Sequence, residues 1–223
     1  MACTSSTRQS PRSATARLEM VGGVRLSSSA SALTTVLPHA GEVTYLVGGQ
    51  EAAIDAALPA LRCTSKYVFK MGGPGRGHLA KTLNNYVSAS SIAALFDAAV
   101  LGTKLGLDPL ALTHAFNVGT AQTFCSKWSM LRDGLTGTHD SQYNLALLVK
   151  DLRINERAFT SQLGGQGAQD GYPTHVRSRF EHALKLLDGD PALCHTTALR
   201  AWEQQAGVKV KQYDDTSVGK TGL

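Results

Sequence analysis

Hydrophobic and polar positions change period along the chain, and the changes mark its elements. Val43, Tyr45 and Val47 alternate with Thr44 and Leu46 before Gly48 and Gly49, which predicts a short strand closed by a turn. Ala53, Ile54, Ala57, Leu58 and Leu61 then share one helical face, with Pro59 expected to distort or shorten the last turn. Tyr67 to Met71 reads as a second short strand. Strand, helix and strand make a unit of about thirty residues, the size of a parallel crossover. It has the pattern of the end of an α/β domain.

After glycines at 72, 75 and 77, apolar residues continue at helical spacing from Leu79 to about Leu105 and predict one long buried helix. Asp108 and Pro109 supply an N-cap and a first-turn proline for a helix to about Phe116, ended by Asn117 and Gly119. Further helices are predicted over 122–131, 142–162, 174–187 and 196–205, with 164–171 a loop. The stretch 20–40 shows no sustained period. The fold class is therefore mainly α, an all-helical C-terminal part preceded by a residual α/β strand–helix–strand unit. The predicted divisions are an irregular or disordered leader (1–40), the α/β remnant (41–73), a helical domain (74–209) and a frayed tail (210–223).

The composition, 43% hydrophobic over 223 residues, is enough for a core. No run reaches the eighteen or so uncharged apolar residues of a membrane span, so no membrane crossing is expected. The net charge of +5 comes from scattered basic residues without a basic helix or aromatic interleaving, so no nucleic-acid partner is expected. Cysteines at 3, 63, 125 and 194 show no CxxC and no Cys/His pairing, which predicts neither a metal site nor a disulfide framework, and fits reduced thiols in an intracellular, soluble protein. Arg8, Arg12 and Arg17 stand among many Ser and Thr with no acid before Glu19. That leader resembles an organellar transit peptide, which would be mitochondrial, but with few large apolar residues it reads first as a plain disordered segment.

The long helix carries a polar stripe near its start, Lys81, Asn85 and Ser88, on an otherwise apolar element. Burying an ammonium costs several kcal/mol unless it is paired or sheds its proton, so Lys81 is either a satisfied structural contact or an acid/base group. The glycines before it fit neither phosphate-binding pattern. A P-loop requires glycine directly before the lysine, where this chain has Ala80, and a dinucleotide fingerprint requires GxGxxG where this chain has GxxGxG.

The run GGPGRGHLAKTLNN is similar to the GxxGxGxxxKxxNN motif of the β-hydroxyacid dehydrogenases, and every fixed position matches. EVTYLVGGQEAAIDAALPALR resembles that family's last strand and helix before the catalytic linker, and LGLDPLALTHAFNVGT and LALLVKDLRINERA resemble its helical domain. The resemblance implies hydride transfer between a short 3-hydroxyacid and NAD or NADP. It makes Lys81 the catalytic acid/base group, and Asn85, with Asn84 beside it, the substrate-binding residues. Lys150, Asn117 and Gly119 would border the cofactor. Lys150 with Asp151 reads equally as a solvated pair, and Asn117 with Gly119 as a plain helix C-cap.

The chain departs from the family in lacking GxGxxG. The family's Ser-Gly-Gly, which binds the substrate carboxylate, aligns with Val21, Gly22 and Gly23, so the serine hydroxyl is missing. The chain is thus expected to be an N-terminally truncated member. Its alternative role is a non-catalytic remnant whose helical domain dimerises or binds a partner. A long apolar helix with little domain to cover it predicts a homo-oligomer.

Overall fold

The computed structural model describes residues 30–34, 43–65, 67–141, 143–163, 171–190 and 192–214. The chain divides into two compact units, residues 1–81 and 82–223. Gly22 and Gly23, the arginines of the leader and most of the loop predicted over 164–171 lie outside the described residues.

The first unit holds a three-stranded sheet in the order β1 (Ala30–Thr34), β2 (Val43–Gly48), β3 (Tyr67–Gly72). β2 and β3 run parallel, pairing Thr44 with Tyr67 and Leu46 with Phe69, with α1 (Glu51–Thr64) as the crossover between them. β1 pairs antiparallel with β2, Ala30 opposite Val47, and corrects the expectation of an irregular leader through residue 40. Its sequence, ASALT, alternates only small and polar residues with one leucine, too weak a period to read as a strand.

α1 buries Ala53, Ile54 and Leu61, and Ile54 and Leu61 cluster with Val47 of β2. Contrary to expectation, Pro59 does not shorten this helix, which runs five residues past it to Thr64. Proline removes one hydrogen bond to the carbonyl of residue 55, but Asp55 and Pro59 are both exposed, so that carbonyl lies on the hydrated side while Leu61 stays anchored in the core. Gly77 explains part of the glycine motif. A Cβ there would collide with the Leu46 carbonyl oxygen and lie 3.0 Å from the Gly48 amide nitrogen, so only glycine lets this turn close on the end of β2. Gly72 and Gly75 take φ of +96° and +80°, in the left-handed region that a side chain disfavours.

α2 (Arg76–Lys104) begins in the first unit and supplies the core of the second. Its Ala89, Ile92, Ala93, Phe96, Ala99 and Val100 are buried against α4 (Leu145–Leu163), α5 (Tyr172–Leu186) and α6 (Leu199–Ala206). Phe96 and Phe180 each stand 5.4 Å, centroid to centroid, from Trp202, whose indole N–H donates to Asp97 at 2.9 Å. Truncating one of these rings would cost about 3–5 kcal/mol. Arg153 pairs with Glu181, and Arg177 with Glu156, each at 2.6 Å, tying α4 to α5.

α2 also corrects the membrane argument. Over eighteen residues its mean hydropathy reaches 1.3, enough by length and composition to cross a bilayer, although Asp97 and several Ser and Asn residues interrupt it. Its buried apolar face, from Ala89 to Val100, makes it the central helix of the second unit.

α3 (Pro109–Val118) starts as expected, with the Asp108 carboxylate accepting from the Ala111 amide at 2.9 Å. It runs past Asn117, which is a last-turn residue rather than the terminator; Gly119 is the C-cap. The helix expected over 122–131 is instead a π-helix, Cys125–Gly134, closed by a Leu135 N–H bond to the Met130 carbonyl at 2.8 Å. The last predicted helix divides into a 3₁₀ turn (His195–Ala198) and α6.

Candidate active site

Asn85 is the centre of the polar network on α2. It is 5% exposed, and its Nδ2 donates to Asp151 Oδ2 at 2.6 Å and to the Tyr143 hydroxyl at 3.1 Å. A carboxylate only accepts, so the amide group must face Asp151, which fixes the orientation of the side chain. Both amide hydrogens are thereby used. Asn84 Nδ2 lies 3.4 Å from its Oδ1.

Asp151 organises the rest. Its Oδ1 pairs with Lys150 Nζ at 2.8 Å, and its Oδ2 also lies 3.4 Å from the Tyr143 hydroxyl. Burial, then the Asp151 charge and hydrogen bond, push the Tyr143 phenol far above its ordinary 10.0, so it remains a neutral donor. One turn further along α4, the wholly buried Asn155 donates to the Asp151 carbonyl at 3.2 Å and to the Thr82 carbonyl at 2.5 Å, which fastens α4 to α2 beside the network. The Lys150 side chain is 58% exposed and leaves its ammonium accessible.

The structure thus brings together three of the expected site residues, Asn85, Asn84 and Lys150. Lys81, one turn before Asn85 on α2, is half-buried. Asn117 and Gly119 are engaged elsewhere. Asn117 Nδ2 donates to the Ser126 carbonyl at 3.3 Å, its Oδ1 is buried without a partner, and the Gly119 N–H caps α3 on the carbonyls of Ala115 and Phe116.

Two members of the network were missed in the sequence. Asp151 was visible only as half of a Lys-Asp pair, with its burial as the missing signal. Tyr143, just before α4, carries no local pattern that points to Asn85, 58 residues earlier. Among the described residues no group of His, Cys, Asp and Glu is placed to hold a metal ion.

A half-buried lysine thus stands one turn from a fixed amide, on a long helix entered through a tight glycine turn. Residues 75–164 match the family described as NAD-binding of NADP-dependent 3-hydroxyisobutyrate dehydrogenase. Over that segment the chain is similar to the β-hydroxyacid dehydrogenases. It is 34% identical over 122 residues to the probable mitochondrial 3-hydroxyisobutyrate dehydrogenase of Dictyostelium discoideum, covering 52% of this chain and 38% of that one. With the 2-(hydroxymethyl)glutarate dehydrogenase of Eubacterium barkeri it shares 25% over 177 residues, 77% of this chain and 55% of that one. The fold is that of the Mycobacterium tuberculosis 3-hydroxyisobutyrate dehydrogenase bound to L-serine, at a TM-score of 0.65 and 22% identity over 77% of this chain and 59% of that one. The chain spans 38% and 55% of the length of these two sequence relatives.

Proposed function

We propose that the chain acts in hydride transfer between a short 3-hydroxyacid and NAD or NADP, with Lys81 as the acid/base group. The observation that carries this reading is the fixed Asn85, its amide pinned by Asp151 and Tyr143 one turn from Lys81. Asn85 hydrogen-bonds the substrate and orients the carbinol. Lys81 takes the hydroxyl proton in the oxidation direction and returns it in the reduction. Tyr143, kept neutral, and Asp151 hold Asn85 in place rather than touch the substrate. Gly22 and Gly23 would supply backbone N–H groups to the substrate carboxylate.

The residues fit one half of the cofactor. Asn117 Oδ1 is a buried acceptor left without a partner, and Lys150 offers an exposed ammonium, which suit the hydrogen-bond donors and anionic groups of a nicotinamide nucleotide. The GxGxxG that would bind the pyrophosphate is absent from the sequence. When bound, the nicotinamide supplies the hydride acceptor.

Titration of the purified chain with NADH and NADPH, followed by fluorescence, tests the reading. Micromolar saturation, with turnover of 3-hydroxyisobutyrate lowered about 10²–10⁴-fold in Lys81→Ala, is the expected result. A folded chain that binds neither nucleotide overturns it.

The second reading, self-association through the helical unit, is favoured by an apolar stripe left exposed on α2 at Leu83, Val87 and Leu101 and continued by Leu105 just past its end. Mitochondrial targeting is the third element of the proposal. It is supported by the Arg- and Ser-rich leader and by the mitochondrial names of the relatives from Dictyostelium discoideum and Bos taurus. Redirection of a fused reporter to mitochondria by residues 1–40 tests it, and a cytosolic reporter refutes it.

A further inference from the structure

A second group of polar side chains gathers around Cys194, and it corrects the expectation that no cysteine pairs with a histidine. Cys194 Sγ lies 2.8 Å from Ser141 Oγ, 3.2 Å from Thr196 Oγ1 and 3.6 Å from His195 Nδ1. His195 Nδ1 also lies 3.2 Å from the Tyr143 carbonyl oxygen. A carbonyl only accepts, so Nδ1 carries a hydrogen and presents a donor to the sulfur as well. Three polar side chains therefore gather around one sulfur. Burial alone would raise the thiol, but the His195 hydrogen bond and charge, with Ser141 and Thr196, outweigh it and bring Cys194 down to about 7.

Two further observations point to a ligand. Cys194 lines a cavity of about 380 Å³ together with His139, Asp140, Tyr143, Asn144 and Ala192, and is itself 7% exposed. Asp133, 6% exposed and acted on by Asp140, Ser141 and His195, has an Oδ2 buried without a partner. It is a buried acceptor beside Asp140, which lines the cavity.

We propose that Cys194 is a peroxide-reactive thiol, held by His195, Ser141 and Thr196 at the wall of this cavity and oxidised there by hydrogen peroxide. The thiol first gives its proton to solvent. The thiolate sulfur attacks one peroxide oxygen, an S–O bond forms and the O–O bond breaks. Hydroxide leaves and takes a proton from solvent to become water. Sulfur is oxidised by two electrons to the sulfenic acid, and the peroxide is reduced. The exposed Cys63 and the buried Cys125, whose thiol burial pushes up, lack this arrangement and serve as internal references.

The test uses the full chain at pH 7. Limited hydrogen peroxide is added with dimedone to trap sulfenic acid, and labelled peptides are quantified by mass spectrometry. Cys194 is expected to be trapped about tenfold faster than Cys63, because its polar neighbours favour the thiolate. His195→Asn is expected to remove that advantage while the helical circular dichroism stays unchanged. Labelling of Cys194 no faster than Cys63 in the folded wild-type chain overturns the proposal, and that comparison stands even if the variant fails to fold. Because no nucleotide or hydroxyacid is present, the outcome is independent of the dehydrogenase reading.

Discussion

Asn85 is fixed by two hydrogen bonds donated from one buried amide, so its value to the fold is separable from its value to a substrate. Asn85→Ala removes both donors and leaves Asp151 Oδ2 and the Tyr143 hydroxyl short of a partner. We expect a loss of about 1–3 kcal/mol in urea unfolding, against a few tenths for Asn84→Ala at its exposed neighbour. Equal effects of the two substitutions would show that the network does not hold α2 and α4 together. Tyr143 gives a second test, with a definite sign. Its folded phenol titrates above the unfolded value of 10.0, so the contribution is fully present below pH 10 and is lost as pH rises through the folded value. Tyr143→Phe should therefore lose less stability between neutral pH and alkaline pH than the wild type, as measured by denaturant midpoints across that range. A steeper decline in the variant refutes the assignment. These residues were legible unevenly. Lys81 and Asn85 were marked by polar positions on an apolar helix, whereas Asp151 and Tyr143 acquire their roles only from contacts more than fifty residues away from them along the chain.

The glycine turn ahead of α2 shows why spacing carried information that residue type alone did not. Gly77 has no room for a Cβ against the backbone of Leu46 and Gly48, while Gly75, with φ of +80° and nothing within 4 Å, needs glycine only for its backbone angle. Gly77→Ala should cost about 1–3 kcal/mol from overpacking, since the obstructing atoms are backbone and cannot rotate away. Gly75→Ala should cost about 1–2 kcal/mol from the left-handed conformation alone. Thermal unfolding followed in the first unit separates the two, and a neutral Gly77→Ala would refute the close approach. The same contrast between local and non-local causes explains the rest of the fold. β2, α1, β3 and α2 were legible because strict alternation or a long 3.6-residue period reports a buried face directly. The π-helix was not, because i→i+5 bonding leaves no signature in the order of apolar residues around Met130 and Leu131. β1 escaped for want of large apolar residues. Pro59 misled because a proline on an exposed helical face removes a bond that water replaces.

α2 ends with an unpartnered face, and the spacing of its exposed residues is regular. Leu83, Val87, Ala94, Leu101 and Leu105 fall within roughly 40° of one another at 100° per residue, forming a single seam down the helix. Val87, Ala94 and Leu101 repeat at the seven-residue interval along which two helices pack side by side. Exposed apolar seams of this length are uncommon on monomers, because water-exposed hydrocarbon disfavours the isolated chain by about 25 cal/mol per Å² relative to burial. A second copy of the chain, related by a two-fold axis, covers the seam with itself and needs no other partner. The double substitution Val87→Glu with Leu101→Glu places like charges face to face across such an interface while leaving the buried face of α2, from Ala89 to Val100, untouched. Light scattering should then show a dimer or larger assembly for the wild type and a monomer for the variant, with equal helical circular dichroism. A monomeric wild type sinks the argument, and so does a variant that keeps its assembly, since either result means that the seam is not where the copies meet.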